Sequence, residues 1–170
     1  MKIKANENLI VVRYSNKYEN ECILKHQEVI KREGFVWFGK CGNVIRKVNA
    51  ENILSQENPK VILYSKSGSY ICELKDISYE EQTKNIPEYY KNLRNSKDEC
   101  GYELFKPSMY YALSSIKKIN PDLLKKFVIL KSGKNLYEII NKTMTTQMII
   151  KSVSDINIKE DSDGKTKNAK

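Results

Sequence analysis

Aromatic residues are concentrated in a ten-residue stretch, GFVWFGKCGN, which runs from Gly34 to Asn43. It holds the only Trp of the chain, Trp37, between two Phe residues, and it ends in a glycine-rich turn. An indole in such a place can stack on a flat ligand or can fill a hydrophobic core. Trp37 and Phe38 are neighbours in a predicted strand, so their side chains point to opposite faces and only one can face a binding site. Both roles of Trp37 stay open at this point.

Residues suited to nucleophilic, metal or phosphoryl chemistry are sparse. The only His, His26, lies in the helical stretch KHQE, where we expect it to be exposed rather than catalytic. The four Cys residues contain no CxxC pair, which favours reduced thiols over a zinc site, and the apolar patterns around Cys22 and Cys72 predict that both are buried. No glycine motif of the strand-to-helix phosphate-binding type occurs. We therefore expect no cofactor, no metal and no catalytic residue.

Positive charge is concentrated in the C-terminal half. The formal net charge is +9, and from Lys106 to Lys151 nine Lys face only two acidic residues, Asp122 and Glu138. Such an excess attracts polyanions by releasing their counterions, which makes nucleic acid the expected partner. Only four of the thirty cations are Arg, so a lysine-rich genome is the alternative explanation.

Length and hydropathy predict one domain away from the membrane. A chain of 170 residues can bury one core, which we place over residues 1–158, and the polar stretch 159–170 is predicted to be a disordered tail. No segment has the roughly 20 apolar residues that a bilayer span needs, and the N-terminus lacks a secretory signal layout. We therefore expect a cytoplasmic protein.

The predicted elements are mostly strands. NLIVVRYS predicts a strand, and residues 19–33 have helical spacing with Lys31 and Arg32 before Gly34 as a stop. FVWFGK predicts a strand, VNAENILSQ predicts a short helix, and KVILYSKSGSYICELKDISY predicts a hairpin. Residues 80–100 are predicted to form a long excursion, which is followed by three strands, LF, MYYALSSIKKI and FVIL. Residues 135–142 predict a short helix, and TTQMIIKSV predicts a strand or a terminal helix. So few helices exclude a doubly wound sheet. The fold class is α+β, and we expect a small mixed β-barrel with two or three packed helices.

The succession of FVWFGK, the hairpin PKVILYSKSGSYICELKDI, MYYALSSIKKI and FVILKSGKNLYEIINK resembles the PUA-like superfamily. Within it the pattern is most similar to the EVE and YTH-type modules found at the front of some modification-dependent restriction systems. The resemblance covers about residues 9–150 as an order of elements. It implies a barrel of five or six strands in which a base flipped out of nucleic acid stacks on aromatic side chains.

That resemblance assigns two sets of candidate residues. The base pocket would be formed by Trp37, Tyr64, Ser65 and one of the alternating pair Tyr110 and Tyr111. Phosphate contacts would come from cations at strand ends, namely Arg13, Lys40, Lys66 and Lys106.

The expected function is a non-catalytic nucleic-acid-binding module that reads a flipped or modified base and acts through an effector such as a nuclease. A small RNA-processing nuclease or nucleotide-modifying enzyme on the same barrel is one alternative. GKCGNVIRK supplies Gly39, Lys40 and Arg46 for such an enzyme but no Glu between them for acid-base work. A protein-binding adaptor is the other alternative.

Overall fold

The central strands carry apolar side chains on both faces, so the sheet that they form is covered on both sides. The computed structural model describes residues 1–17, 19–80, 83–102 and 105–159. The strands are β1 (Lys2–Ile3), β2 (Asn8–Arg13), β3 (Val36–Lys40), β4 (Lys60–Ser65), β5 (Gly68–Ser78), β6 (Met109–Ile119), β7 (Phe127–Ile129), β8 (Gln147–Ser152) and β9 (Ile156–Asn157). The helices are α1 (Cys22–Glu33), α2 (Lys47–Leu54), α3 (Tyr89–Asn95) and α4 (Leu136–Ile139), with a 3₁₀ helix at Pro121–Lys126.

Seven strands form one mixed sheet in the order β3-β6-β5-β4-β2-β8-β7, and β1 pairs with β9 in a second, two-stranded sheet. β2 and β4 are parallel neighbours, and the other pairs in the large sheet are antiparallel. One face packs against α1 and α2, and the other packs against the 3₁₀ helix, α4 and the chain ends. The α+β class is therefore confirmed.

Alternation along β2 shows how the sequence supplies both faces. Ile10 and Val12 belong to the core beneath α1, whereas Leu9 and Val11 belong to the core on the opposite face. All four side chains are fully buried. Successive strand residues point to opposite faces, so a continuous apolar run such as LIVV requires cover on both sides.

The β5–β6 ribbon bends near its middle. β4 pairs with the first half of β5, β3 pairs with the far half of β6, and register shifts in β5 at Glu73, Leu74 and Asp76 lie between the two halves. In a flat ribbon β3 would end about 30 Å along the strands from the end of β2. Instead the Lys40 Nζ donates to the Arg13 carbonyl oxygen at 2.8 Å. Bulges bend a strand, and this bend lays the end of β3 against the end of β2.

The sheet has two edges, β3 and β7. Within the described ranges, these edge strands are not paired to each other, so strand pairing does not close the sheet into a barrel. Over the described residues, four α-helices and one 3₁₀ helix exceed the two or three packed helices expected, because α3 forms in the excursion, where YYKNLRN allowed a short helical turn, and a 3₁₀ helix forms just before β7.

Most predicted elements are confirmed, with shifted ends. The first helix begins at Cys22 rather than at Glu19, and it ends where predicted because Gly34 adopts φ 84° and donates its N–H to the Ile30 carbonyl oxygen. The excursion contains α3, and TTQMIIKSV contains strand β8. Of the predicted LF strand, Leu104 lies outside the described residues and Phe105 is not in a strand. The predicted tail falls almost entirely on residues 160–170, which also lie outside them. None of the described helices is both long and apolar enough to cross a bilayer.

Candidate functional site

A cavity of about 170 Å³ lies where the bent sheet brings the ends of β2 and β3 together. The first turn of α1 and one side of α3 complete its walls. We call it the aromatic cavity. Its volume is below the roughly 300–1,000 Å³ that is usual for ligand pockets, so it suits a planar group of the size of one base better than a whole nucleotide.

Five aromatic residues contribute to the walls, and one of them is Tyr14, which directly follows β2. Phe38 reaches the cavity from β3, Tyr89 and Tyr90 come from α3, and Phe105 comes from the segment before β6. Tyr90 and Phe105 lie with ring centroids 5.4 Å apart and planes inclined by 31°, and Tyr89 meets Tyr90 edge to face at 4.6 Å. These contacts hold the rings in fixed orientations, which lowers the entropy that a stacking ligand would have to remove.

Two cations stand at the end of the cavity formed by the strands. Lys40 is half-buried, and burial lowers the pKa of its ammonium group. The Arg13 guanidinium donates to the Thr143 carbonyl oxygen. In the part of the chain that the structure describes, neither cation has a carboxylate within ion-pair distance. An anion at this end of the cavity would offset the cost of burying Lys40.

Two thiols and one carboxylate also line the cavity. Burial raises the pKa of both Cys22 and Cys41, so both thiols are protonated at neutral pH and lack the thiolate needed for nucleophilic attack. Glu19 is half-buried just before α1. Its carboxylate can accept hydrogen bonds from an amino group of a bound heterocycle.

A buried hydrogen-bond chain supports the aromatic wall from behind. His26 Nδ1 lies 2.6 Å from the Cys22 carbonyl oxygen, which can only accept, so Nδ1 carries the proton. Nε2 then accepts from the Tyr90 hydroxyl at 2.8 Å, and the Tyr90 oxygen accepts from the Gly39 N–H at 3.2 Å. His26 also packs against Phe38 at 4.7 Å between ring centroids. The prediction that His26 is exposed is wrong, because α1 turns it into the core, where none of its surface reaches solvent.

The predicted base-pocket residues are not brought together. Trp37 is half-buried on the face of β3 opposite Phe38, where it meets Phe35 edge to face, and it does not line the aromatic cavity. Tyr110 and Tyr111 are both fully buried. The Tyr111 hydroxyl donates to the Gln147 side-chain oxygen within the core.

Tyr64 and Ser65 line a different cavity, on the other face of the sheet. Of the predicted phosphate contacts, Arg13 and Lys40 do line the aromatic cavity, whereas the exposed Lys66 lies at the second cavity. Lys106 is exposed next to Phe105 in the chain, beside the aromatic cavity.

Sequence reasoning missed Tyr89, Tyr90 and Phe105. The first two lie in the stretch EYYKN, which reads as exposed loop because its neighbours are charged. A signal was present, because Tyr89 and Tyr90 stand in a long excursion and such excursions are enriched in functional residues. Phe38, which the sequence left as the alternative to Trp37, is the residue of that pair that reaches the cavity.

The described residues contain no group of three or more His, Cys, Asp or Glu side chains placed to hold a metal ion. The four thiols are free, and Cys22 and Cys72 are buried as predicted. No protein-family model matches the chain, and no curated protein or solved structure matches it either.

Proposed function

We propose that this protein binds nucleic acid without cutting it and receives one unstacked base in the aromatic cavity. The observation that carries this proposal is the combination of five aromatic side chains with two cations, Arg13 and Lys40, around a space of base size. A base that leaves its stack loses stacking energy, and aromatic walls can return about 1–3 kcal/mol of it. The net charge of +9 adds attraction for the phosphate backbone.

Each part of the cavity has a role in this proposal. Phe38, Tyr90 and Phe105 stack on the base, and Glu19 accepts from its exocyclic amino group. Lys40 faces the phosphate on the strand side, and Arg13 adds positive charge at the rim from the end of β2. A base with an amino group, modified or not, fits this set better than one without, because Glu19 would otherwise be left facing a carbonyl oxygen.

A binding role is favoured over an enzymatic one by the state of the reactive groups. The two thiols are protonated, and both ring nitrogens of His26 are already used in hydrogen bonds to the Cys22 carbonyl and Tyr90. A nucleophile needs a base within reach, and here the histidine is turned away from the cavity into the core. The residues fit recognition without bond breaking.

The PUA-like barrel is part of the same proposal. The bent β5–β6 ribbon and the bond from Lys40 to the Arg13 carbonyl support it, because they bring the β3 edge to β2 without strand pairing. The loop after β3 adds a second link, since the Gln147 side-chain amide donates to the Asn43 carbonyl oxygen. In this view side chains close a barrel of the PUA-like type.

Fluorescence anisotropy with labelled single-stranded DNA and RNA tests the proposal. We expect the logarithm of the binding constant to fall linearly with the logarithm of salt concentration, with a slope of several. Phe105→Ala should weaken binding about 5- to 150-fold, which corresponds to the loss of one stacked base. Lys106→Gln should lower the salt slope by about 1.

Trp37→Ala is the matched control, because it removes a half-buried aromatic side chain that does not line the cavity. Circular dichroism establishes that each variant is folded. Binding that ignores salt would favour a protein-binding adaptor. Loss of binding in Trp37→Ala but not in Phe105→Ala would show that the base lies against Trp37 and not in the aromatic cavity.

A further inference from the structure

A second cavity, of about 290 Å³, lies on the opposite face of the sheet from the aromatic cavity. The β4–β5 turn forms one wall, and the 3₁₀ helix and α4 form the others. We call it the turn cavity. β2 and β4 are parallel, and the Tyr14 N–H donates to the Tyr64 carbonyl oxygen at 2.9 Å. The two cavities therefore open at the same end of strands β2 and β4, on opposite faces of the sheet.

Polar groups converge on the turn cavity. The Tyr64 hydroxyl donates to the Asn141 side-chain oxygen at 2.6 Å. This bond fixes the orientation of the Asn141 amide, so that its nitrogen, with two N–H donors, points away from Tyr64. Ser69 is 1% exposed, and its hydroxyl has no hydrogen-bond partner among the described residues. A buried hydroxyl without a hydrogen-bond partner is unfavourable. The Ser69 hydroxyl can rotate about the Cα–Cβ bond toward the cavity, and a ligand atom that bonded to it there would remove this cost and bind more tightly.

Strand register places Ser69 on the correct face for this role. Ser69 is paired with Tyr64 on β4 and with Ile119 on β6. Directly opposed residues on neighbouring strands share a face, and Tyr64 and Ile119 both belong to the core on the side of the turn cavity. The Ser69 hydroxyl therefore lies beneath this cavity and not on the side of α1.

Flat and apolar surfaces complete the turn cavity. The Tyr137 ring lines it and is 42% exposed, with the Lys125 Nζ 4.8 Å from the ring centroid. Ile119, Leu124 and Ile140 supply apolar surface around the ring. An exposed ring beside an amide and a hydroxyl is the set of groups that stacks on a heterocycle and reads its edge.

We infer that the turn cavity is a second nucleobase subsite, with the base against Tyr137 and its edge toward Asn141 and Ser69. This inference rests on the proposed function, because one nucleic-acid strand would occupy both cavities by crossing the end of the sheet beside the β4–β5 turn. Lys66, which is exposed at that turn and lines the cavity, contacts a phosphate of the crossing segment. The subsite takes a base with a hydrogen-bond acceptor at its edge, since the amide of Asn141 presents donors.

The length dependence of binding tests this inference with the full chain. Labelled single strands of about 4 to 16 nucleotides should bind the wild type more tightly as length grows, up to the length that spans both cavities. Tyr137→Ala should weaken binding of the longest strands about 5- to 150-fold and leave the shortest strands unaffected. Phe105→Ala should weaken binding at every length. Tyr102→Ala is the matched control, because Tyr102 is a more exposed Tyr that lines neither cavity.

A second variant separates binding from folding. Ser69→Ala removes a hydroxyl that has no partner in the described structure, so it should leave the urea midpoint unchanged or raise it while it weakens binding of long strands. Equal binding of long strands by Tyr137→Ala, Ser69→Ala and the wild type would overturn the second subsite and leave the first intact. If the wild type binds no oligonucleotide of any length, the proposed function itself fails.

Discussion

Acid should destabilise this protein through one side chain, His26. Its imidazole is completely buried, with its two ring nitrogens bonded to the Cys22 carbonyl and to the Tyr90 hydroxyl. Burial lowers the pKa of His26 to about 4, because a charged ring would lose its hydration. Protonation would also place an N–H where Nε2 now accepts from Tyr90, which breaks the chain that supports the aromatic wall.

The magnitude follows from the difference between the two pKa values. In the unfolded chain His26 has the ordinary pKa of 6.5, and in the folded protein it has a pKa of about 4. Above pH 6.5 the ring is neutral in both states, so the protonation of His26 does not reduce the free energy of unfolding. Below pH 6.5 the unfolded chain takes up a proton that the folded protein rejects, and the free energy of unfolding falls until about pH 4. The loss from this one group is about 3 kcal/mol.

Two measurements check this value. His26 is the only His of the chain, so its imidazole proton resonances are assigned without further labelling, and their titration by NMR gives the folded pKa directly. Urea unfolding from pH 7 to pH 4 gives the free energy. His26→Gln serves as the control, because carboxylates titrate in both proteins and only the wild type has the imidazole. An NMR pKa near 6.5, or an equal loss of stability in both proteins, would refute the reasoning.

Two further predictions concern the stability of the fold. Gly39→Ala should destabilise the fold by about 1–3 kcal/mol in urea unfolding, because a Cβ there would lie 3.0 Å from the Tyr110 ring and 3.1 Å from a proline ring carbon; an unchanged midpoint would contradict this. Glu7→Ala should cost about 3 kcal/mol, since it leaves the buried ammonium of Lys60 without its counter-ion and with only the Asn58 carbonyl oxygen as a partner, whereas Lys60→Met should cost much less. Equal losses in these two variants would show that the 3.3 Å ion pair does not set the cost.

The sequence predicts the elements best where periodicity and end signals agree. The β4–β5 hairpin is found as predicted, because two apolar strands flank a short polar turn and their alternation fixes the register. α1 ends at Gly34 for the reason given by the sequence, but it starts later than its acidic residues suggest. The bend of the β5–β6 ribbon could not be predicted, because the shift in pairing register between two long strands cannot be recognised from the sequence of either strand alone.

The candidate site is harder to predict than the fold, because its parts are far apart in the sequence. Alternation says that Trp37 and Phe38 face opposite ways, but it does not say which face a helix will cover. The decision depends on α1, which packs His26 against Phe38 and so turns that face toward the cavity. It depends also on α3, a short helix in a charged segment that gains its stability from the packing of Tyr90 and not from its own periodicity.

The position of both cavities depends on one pair of parallel strands, together with the bend that brings β3 to the aromatic cavity. β2 and β4 run side by side in the same direction, so the chain leaves the sheet at the same end after each of these strands. After β2 the chain passes to one face as α1, and after β4 it turns back as β5 at the border of the other face. Where neighbouring parallel strands depart in this way, a crevice opens beyond their carboxyl ends, as it does in larger parallel sheets. The parallel pair therefore places the Arg13 end of the aromatic cavity and the Ser65 end of the turn cavity at the same end of the strands, and the bend that brings β3 to β2 completes the aromatic cavity.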